Sequence, residues 1–430
     1  MTNVPALTVE DIDLSDMEFW GRPPSSRDEA FRLLRAERPI AFFAEPDLAE
    51  TSALAPPQGP GYRVLTRHAD VTEVTRNPDV YCSGKGALNI IDLPQEMIDF
   101  LGGMISSDNP RHTRLRRIVS ASFSPRHIRA IEASIEQVAV RLIDQACELG
   151  ACDLVTTFAA PLSLQIICDM MGVPPSEHAT VFRCSNAILS SSDVEYNPEG
   201  GDTLRAILEA GQELTGMMTE LASHRRRHPT DDLTTALISS NIDGEALTES
   251  ELASFFVLLL TAGNETTRSS ISHGILALSE NPDQRALWQA DPVGVAVTGV
   301  DEVVRWASPV ILLRRTVTTD TVLSGVELHT GDKLLLLYPS ANRDEDVFED
   351  PFRFDVLRNP NPHVGFGAGG PHFCLGAHLA RREIEVMLRE LLTRLPDLEV
   401  SGEPDWTKSR FVNGIKHLPC TFTPVRPSSS

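Results

Sequence analysis

Phe366-Gly367-Ala368-Gly369-Gly370-Pro371-His372-Phe373-Cys374-Leu375-Gly376-Ala377 is a glycine-rich turn that delivers a cysteine to the start of a helix, and the chain is read outward from it. Its glycines reach positive backbone torsions without steric cost, so amide groups can approach a ligand or a thiolate closely. A helix is expected to begin near Gly376, where free amides and the helix dipole favour a charged sulfur on Cys374. One thiolate cannot complete a tetrahedral zinc site, and no second cysteine or histidine pair stands nearby at zinc spacing. A planar cofactor that brings its own four nitrogens needs a single axial protein ligand, and haem is such a cofactor. The alternative for any lone cysteine is a buried side chain beside a turn, because Cys is among the most buried residue types.

The 430 residues are 41% apolar and carry a net charge of −22. That balance argues against coating nucleic acid or an anionic membrane surface, and leaves small molecules and other proteins as partners. The 30 prolines and 27 glycines are spread evenly, so a single domain over residues 1–430 is expected, with residues 1–14 and 426–430 disordered. Seven cysteines without CxxC spacing indicate neither a disulfide framework nor a zinc ribbon, which fits a cytoplasmic setting. The first thirty residues show no charged start followed by an apolar run and a small-residue cleavage site, so a secretory signal is not expected. Its most apolar stretch, Phe255 to Ala262, is far shorter than the ~20 residues of a membrane span.

Short β-type runs occur at Ile40–Phe43, Tyr62–Thr66, Lys333–Tyr338 and Thr421–Val425. Helical periodicity marks Ile131–Leu149, Leu162–Met171, Leu204–Arg227, Glu249–Ser279, Val293–Ala307 and Ala377–Leu395. Thr248 with Glu251 predicts a capping box, and Asn281 with Pro282 predicts the cap and first residue of the following helix. Between these signals lies a helix of about eight turns, apolar nearly all round at Phe255–Leu260, which must cross the core.

The cysteine segment resembles the haem-binding loop of the cytochrome P450 family, FGxGxHxCxG, with one extra residue before His372. The resemblance implies a mainly α fold with small β-sheets, holding haem b between a long central helix and the cysteine-loop helix. It implies that Cys374 is the axial iron ligand, with Phe366 and Gly376 shaping its loop. Ala262-Gly263-Asn264-Glu265-Thr266-Thr267 resembles the family's acid-alcohol motif for O2 activation. Helical spacing puts Ala262 and Thr266 on one face with Glu265 beside them, predicting a hydroxyl and a carboxylate that face one cavity. By resemblance, Thr266 would hydrogen-bond the activated dioxygen and Glu265 would take part in delivering protons through water. Read alone, the motif is equally a helix with a solvated Glu and a Thr bonded to the carbonyl four residues back.

Glu302 and Arg305 share a helix face, a spacing that by itself equally describes a surface salt bridge. In the family such a pair joins a later arginine, and Arg353 in Pro351-Phe352-Arg353-Phe354 matches that position. Haem propionates need cationic or hydrogen-bonding partners. His112, Arg116, Arg315 and His372 fall at family-like positions for that role.

Longer stretches, among them Pro161–Gly172, Ile311–Arg315 and Gly414–His417, resemble actinobacterial lipid hydroxylases, most of all the mycobacterial methyl-branched lipid omega-hydroxylases and their cholesterol-oxidising relatives. Ala87–Met104 and Ser308–Leu313 are expected to roof the haem with apolar side chains. The implied reaction is insertion of one oxygen atom from O2 into a C–H bond of a lipid, at the terminal methyl of a branched fatty acid or isoprenoid. A steroid side chain is the alternative substrate, and a haem sensor or carrier without turnover the alternative class. No nucleotide fingerprint appears outside the cysteine loop, so electrons from NAD(P)H are expected through a ferredoxin and its reductase. Arg114, Arg117, Arg381 and Arg382 flank the thiolate side and would dock an acidic partner, unless they are ordinary solvated helix charges.

Overall fold

The computed structural model describes residues 7–47, 52, 54, 56–122, 125–198, 202–241 and 244–427. All six helices read from periodicity form, as Pro125–Ala146, Ala160–Met171, Thr203–Arg227, Glu249–Glu280, Ala296–Ala307 and Ala377–Arg394. The Glu249–Glu280 helix is the spine, 32 residues or about nine turns. Its capping box is reciprocal. The Glu251 amide donates to Thr248 Oγ1 (3.2 Å) and the Thr248 amide donates to the Glu251 carboxylate (3.0 Å). Asn281 is the N-cap position of the next helix as expected, but its side chain does not cap that helix. Its Nδ2 donates to the Ala277 carbonyl (2.8 Å), closing the helix behind it, while Pro282 opens the next one.

The spine threads two apolar clusters. Leu252, Phe255, Phe256 and Leu260 pack with Met104, Ile167 and Leu214, and Ile271, Ile275 and Leu278 pack with Phe158, Val303 and Leu388. A helix buried on all sides can only lie across the core. Between the two clusters, Thr261, Ala262, Gly263, Thr266, Thr267 and Ser270 border the cavity described below.

Five strands, β1 (Ile40–Phe43), β2 (Tyr62–Leu65), β3 (Tyr81–Cys82), β4 (Leu312–Val317) and β5 (Lys333–Leu337), form one sheet in the order β1-β2-β5-β4-β3. β2 and β5 run parallel and the other pairs antiparallel, with Leu313 opposite Leu336. Strand β5 is buried on both faces, which accounts for its unbroken run of leucines. The last strand lies earlier than expected. Pro419–Thr421, not Thr421–Val425, pairs with Ala151–Asp153, because that partner ends at Gly150, whose φ of +74° turns the chain away.

Residues 7–14, expected to be disordered, are packed. Val9, Ile12 and Leu14 are buried with Phe19 and Trp20, and Trp20 Nε1 donates to the Leu14 carbonyl (3.0 Å). Residues 1–6 and 428–430 lie outside the described residues. Among the described residues no helix is long and apolar enough to cross a membrane.

Removing the reciprocal cap should loosen the spine where it enters the core. Thr248→Ala is expected to lower unfolding free energy by about 1 kcal/mol, with Thr248→Ser near wild type, both read from denaturant midpoints at unchanged slope.

Candidate active site

The cysteine loop is a tight turn closed on itself. Gly367, Gly369 and Gly370 have φ of +94°, +85° and +77°. At Gly370 the requirement is also steric, since a Cβ there would lie 2.5 Å from the Thr75 carbonyl oxygen. The Cys374 amide donates to the Phe366 carbonyl (2.9 Å), so Phe366 and the sulfur are fixed together despite the additional residue before His372. Arg381 lies over the Phe366 ring at 4.4 Å. Gly376 is the N-cap of the Ala377–Arg394 helix. The Gly376 amide acts on the sulfur as the loop reading expected, with burial opposing it. Burial pushes the Cys374 thiol up, against the Gly376 amide and the Arg116 and Arg381 charges, which pull it down.

Cys374 opens into a cavity of about 650 Å³, bordered by Ala262, Thr266, Phe366 and Gly376. The expected roof is there, with Leu88, Ile90, Leu93 and Met97 from one segment and Pro309, Val310, Leu312 and Leu313 from the other. His112, Arg116, Arg315 and His372 also converge on it. The two imidazoles stand 4.1 Å apart by centroid, and His372 Nε2 bonds Ser83 Oγ (3.1 Å). His372 is pushed down to about 2, by burial first and then by Arg315, His112 and Arg116. His112 Nε2 is buried with no partner. Among the described residues no carboxylate forms an ion pair with any of the four. Such a set lacks an anion of its own and fits the two propionates of haem. Cys374 also has no companion donors for a tetrahedral metal, the one grouping of metal-type ligands among the described residues being Glu195, Asp405 and His417.

On the spine, Thr266 Oγ1 donates to the Ala262 carbonyl (2.8 Å) and both residues border the cavity, as spacing predicted. Glu265 does not face it. Its carboxylate is fully buried in an ion pair with Arg268, which also lies near Tyr196 and over the Phe182 ring at 5.5 Å. A carboxylate with no exposure must find a cation, and the residue three positions on supplies one on the same helix face.

Glu302 and Arg305 form a fully buried bidentate pair at 2.7 and 2.8 Å. The third member is Arg358, not Arg353. Arg358 Nε donates to both Glu302 oxygens (3.2 and 3.3 Å), whereas Arg353 contributes its backbone carbonyl to Arg305 and Arg358. The Arg353 side chain is exposed, because the turn at Asp350 (φ +46°) rotates it outward. Sequence reasoning also missed Glu383. It borders the cavity nine positions after Cys374, with Oε2 unpartnered, and burial raises its carboxyl well above the usual range. Nothing in helical spacing singles it out.

The four arginines expected to dock a partner already hold acids of this chain. Arg114 binds Glu251 (2.7 Å), Arg117 Glu245 (3.2 Å), Arg381 Asp301 (2.7 Å) and Arg382 Glu385 (2.8 Å). An acidic partner would compete with these acids.

A single-cysteine site opening on a cavity beneath a long central helix, with cationic partners for two propionates, defines a haem-thiolate protein. The family model for Cytochrome P450 matches residues 61–289 and 297–415, and the chain belongs to that family. It is a monooxygenase that uses haem and O2. The Mycobacterium tuberculosis methyl-branched lipid omega-hydroxylase is 44% identical over 425 residues, 98% of this chain and 97% of the relative. A Mycolicibacterium smegmatis steroid C26-monooxygenase is 41% identical over 367 residues, 84% of each chain. A Mycobacterium marinum cytochrome P450 in complex with pseudoionone superposes with a TM-score of 0.89 at 40% identity, covering 98% of this chain and 100% of that one.

The two arginines near Glu302 should separate cleanly. Arg358→Ala is expected to cost roughly 1–3 kcal/mol of stability and to lower haem content, while Arg353→Ala stays within about 0.5 kcal/mol, measured by thermal unfolding and pyridine-haemochrome titration.

Proposed function

We propose that this enzyme hydroxylates the terminal methyl of a methyl-branched fatty acid or isoprenoid. The observation that carries the reading is the apolar cavity leading to Cys374, roofed by Leu88, Ile90, Leu93, Leu312 and Leu313, with the Thr266 hydroxyl on the spine facing into it. The names of the relatives support the same lipid class. A terminal C–H bond is stronger than an internal one, so selectivity for it must come from how the tail is aimed. A steroid side chain is the second reading, favoured by the steroid C26-monooxygenase relatives.

Haem bound through Cys374 supplies reductive activation of O2 and insertion of one oxygen atom into a C–H bond. His112, Arg116, Arg315 and His372 hold its propionates. The Phe366 carbonyl and the Gly376 amide fix the sulfur within its loop. Thr266 commits its own proton to the Ala262 carbonyl, leaving its oxygen lone pairs free to accept from water in the cavity. Glu265 stands behind it, held by Arg268, as a carboxylate that could relay protons to the cavity only through water or by parting from Arg268. Glu302, Arg305 and Arg358 hold the loop and do no chemistry. We assign residues 1–430 to one catalytic domain in the cytoplasm, supplied with electrons from NAD(P)H by a ferredoxin and its reductase. The full acid-alcohol pair argues against a haem sensor without turnover.

Reduced protein under carbon monoxide is expected to show the red-shifted band of a thiolate-ligated haem, lost in Cys374→Ala. Thr266→Ala is expected to keep the substrate-induced spectral shift while product falls about tenfold or more and peroxide rises. Product analysis by mass spectrometry with branched fatty acids, isoprenoids and cholestenone decides the substrate class, and absence of a hydroxylated terminal methyl in all three overturns the proposal.

A further inference from the structure

The cavity has further cationic groups. Besides Cys374 and Arg116, its lining includes Met17, Lys408 and Arg410. The two basic residues there differ. Lys408 is paired with Glu18, while Arg410 makes no side-chain hydrogen bond or ion pair with any described residue, and its Nη1 is enclosed without an acceptor. The carboxylates nearby are committed, Glu18 to Lys408 and Glu45 to Lys333 at 2.6 Å. Desolvation also holds the Arg410 guanidinium below its ordinary pKa, against a smaller opposing pull from the Tyr62 hydroxyl. A guanidinium whose Nη1 is shut off from water and has no acceptor is costly unless an anion arrives to meet it.

Its backbone is built to be fixed. The Phe411 and Val412 amides both donate to Ser409 Oγ (3.1 Å each), and Ser409 Oγ donates to the Leu189 carbonyl (3.1 Å). The Ile311 amide donates to the Phe411 carbonyl (2.8 Å), and Asn413 Nδ2 donates to the Ala307 carbonyl (2.6 Å). Arg410 thus sits beside Ile311, just before β4, whereas Arg315 of the propionate set lies four residues further on. At about 3.3 Å per residue that separation is roughly 13 Å. Leu312 and Leu313 line the cavity between them.

Resting on the lipid-hydroxylase reading above, we propose that Arg410 is the substrate's head-group site, binding the carboxylate of a branched fatty acid so that the opposite, terminal methyl lies over Cys374. Anchoring at one end and an apolar wall along the middle turn chain length into regiochemistry. The same site leaves a neutral steroid without a partner for the guanidinium, so the acid is favoured over the sterol.

The test titrates haem-loaded wild type, Arg410→Met and Arg410→Lys with isopalmitic acid, its methyl ester and cholestenone, reading the substrate-induced spectral shift and the position of hydroxylation. Wild type is expected to bind the acid more tightly than the ester. In Arg410→Met the acid should weaken roughly 10- to 100-fold and hydroxylation should spread inward from the terminal methyl. Ester affinity and the carbon monoxide band should stay unchanged, and Arg410→Lys should recover part of the loss. Equal binding of acid and ester by wild type, with both hydroxylated at the terminal methyl, overturns the anchor and leaves the lipid reading standing. Equal weakening of acid and ester in Arg410→Met also overturns it, by making Arg410 a structural residue. Binding of cholestenone alone overturns both.

Discussion

A carboxylate with no exposure to water, Glu302, organises the path of the chain into the cysteine loop. Buried so completely, it must be saturated with donors, and it is, by Arg305, Arg358, the Asp355 amide (2.8 Å) and Asn361 Nδ2 (3.2 Å). Arg305 in turn ties down the Asn342 and Pro351 carbonyls at 2.8 and 2.9 Å. Residues 342–361 are irregular and have no ladder of their own to fix them. The ion pair replaces secondary structure, so the segment enters Phe366–Cys374 from one direction only. A ligand sulfur placed on a loop can then be as well positioned as one on a helix.

Charge is distributed against the chain's overall sign. With a net charge of −22, the protein nevertheless lines its cavity with Arg116, Arg315, Lys408 and Arg410, while the one carboxyl among the described lining residues, Glu383, is pushed well above the usual range by burial. The surplus acids lie outside, where they pair with surface arginines such as Arg114, Arg117 and Arg382. An interior that is positive within an acidic molecule selects anions where they bind and not by long-range attraction, because the outer field repels them.

The sequence made legible whatever is local. Periodicity located the six long helices and the spine's start, since Thr248 and Glu251 act within one turn. The glycine loop announced Cys374, and helix spacing put Ala262 and Thr266 on the cavity face. The failures were tertiary. Glu265 has the spacing of a cavity residue but lies about 100° from Thr266 around the helix, and Arg268 captures it on the buried side. Arg353 carries the expected motif, yet the turn at Asp350 hands the contact to Arg358 five residues later. Residues 7–14 lack periodicity and pack nonetheless, because Trp20 and Phe31 offer an apolar shelf that no local pattern reveals.

Cys374 shows why a preformed loop and a reactive ligand are separate achievements. The Gly376 amide and the Arg116 charge favour a thiolate, while desolvation pushes the thiol the other way. The iron ligand is the thiolate, so affinity for the cofactor is tied to the cost of ionising that sulfur. The protein limits that cost by fixing the loop beforehand, through Gly370 against Thr75 and the Cys374 amide on Phe366, so that no conformational entropy is lost when the bond forms. The same economy governs Arg410 elsewhere on the cavity wall, where a rigid backbone holds an unsatisfied charge ready. Both groups are costly in the free protein and relieved by ligands, which is how a largely featureless apolar cavity can acquire a direction.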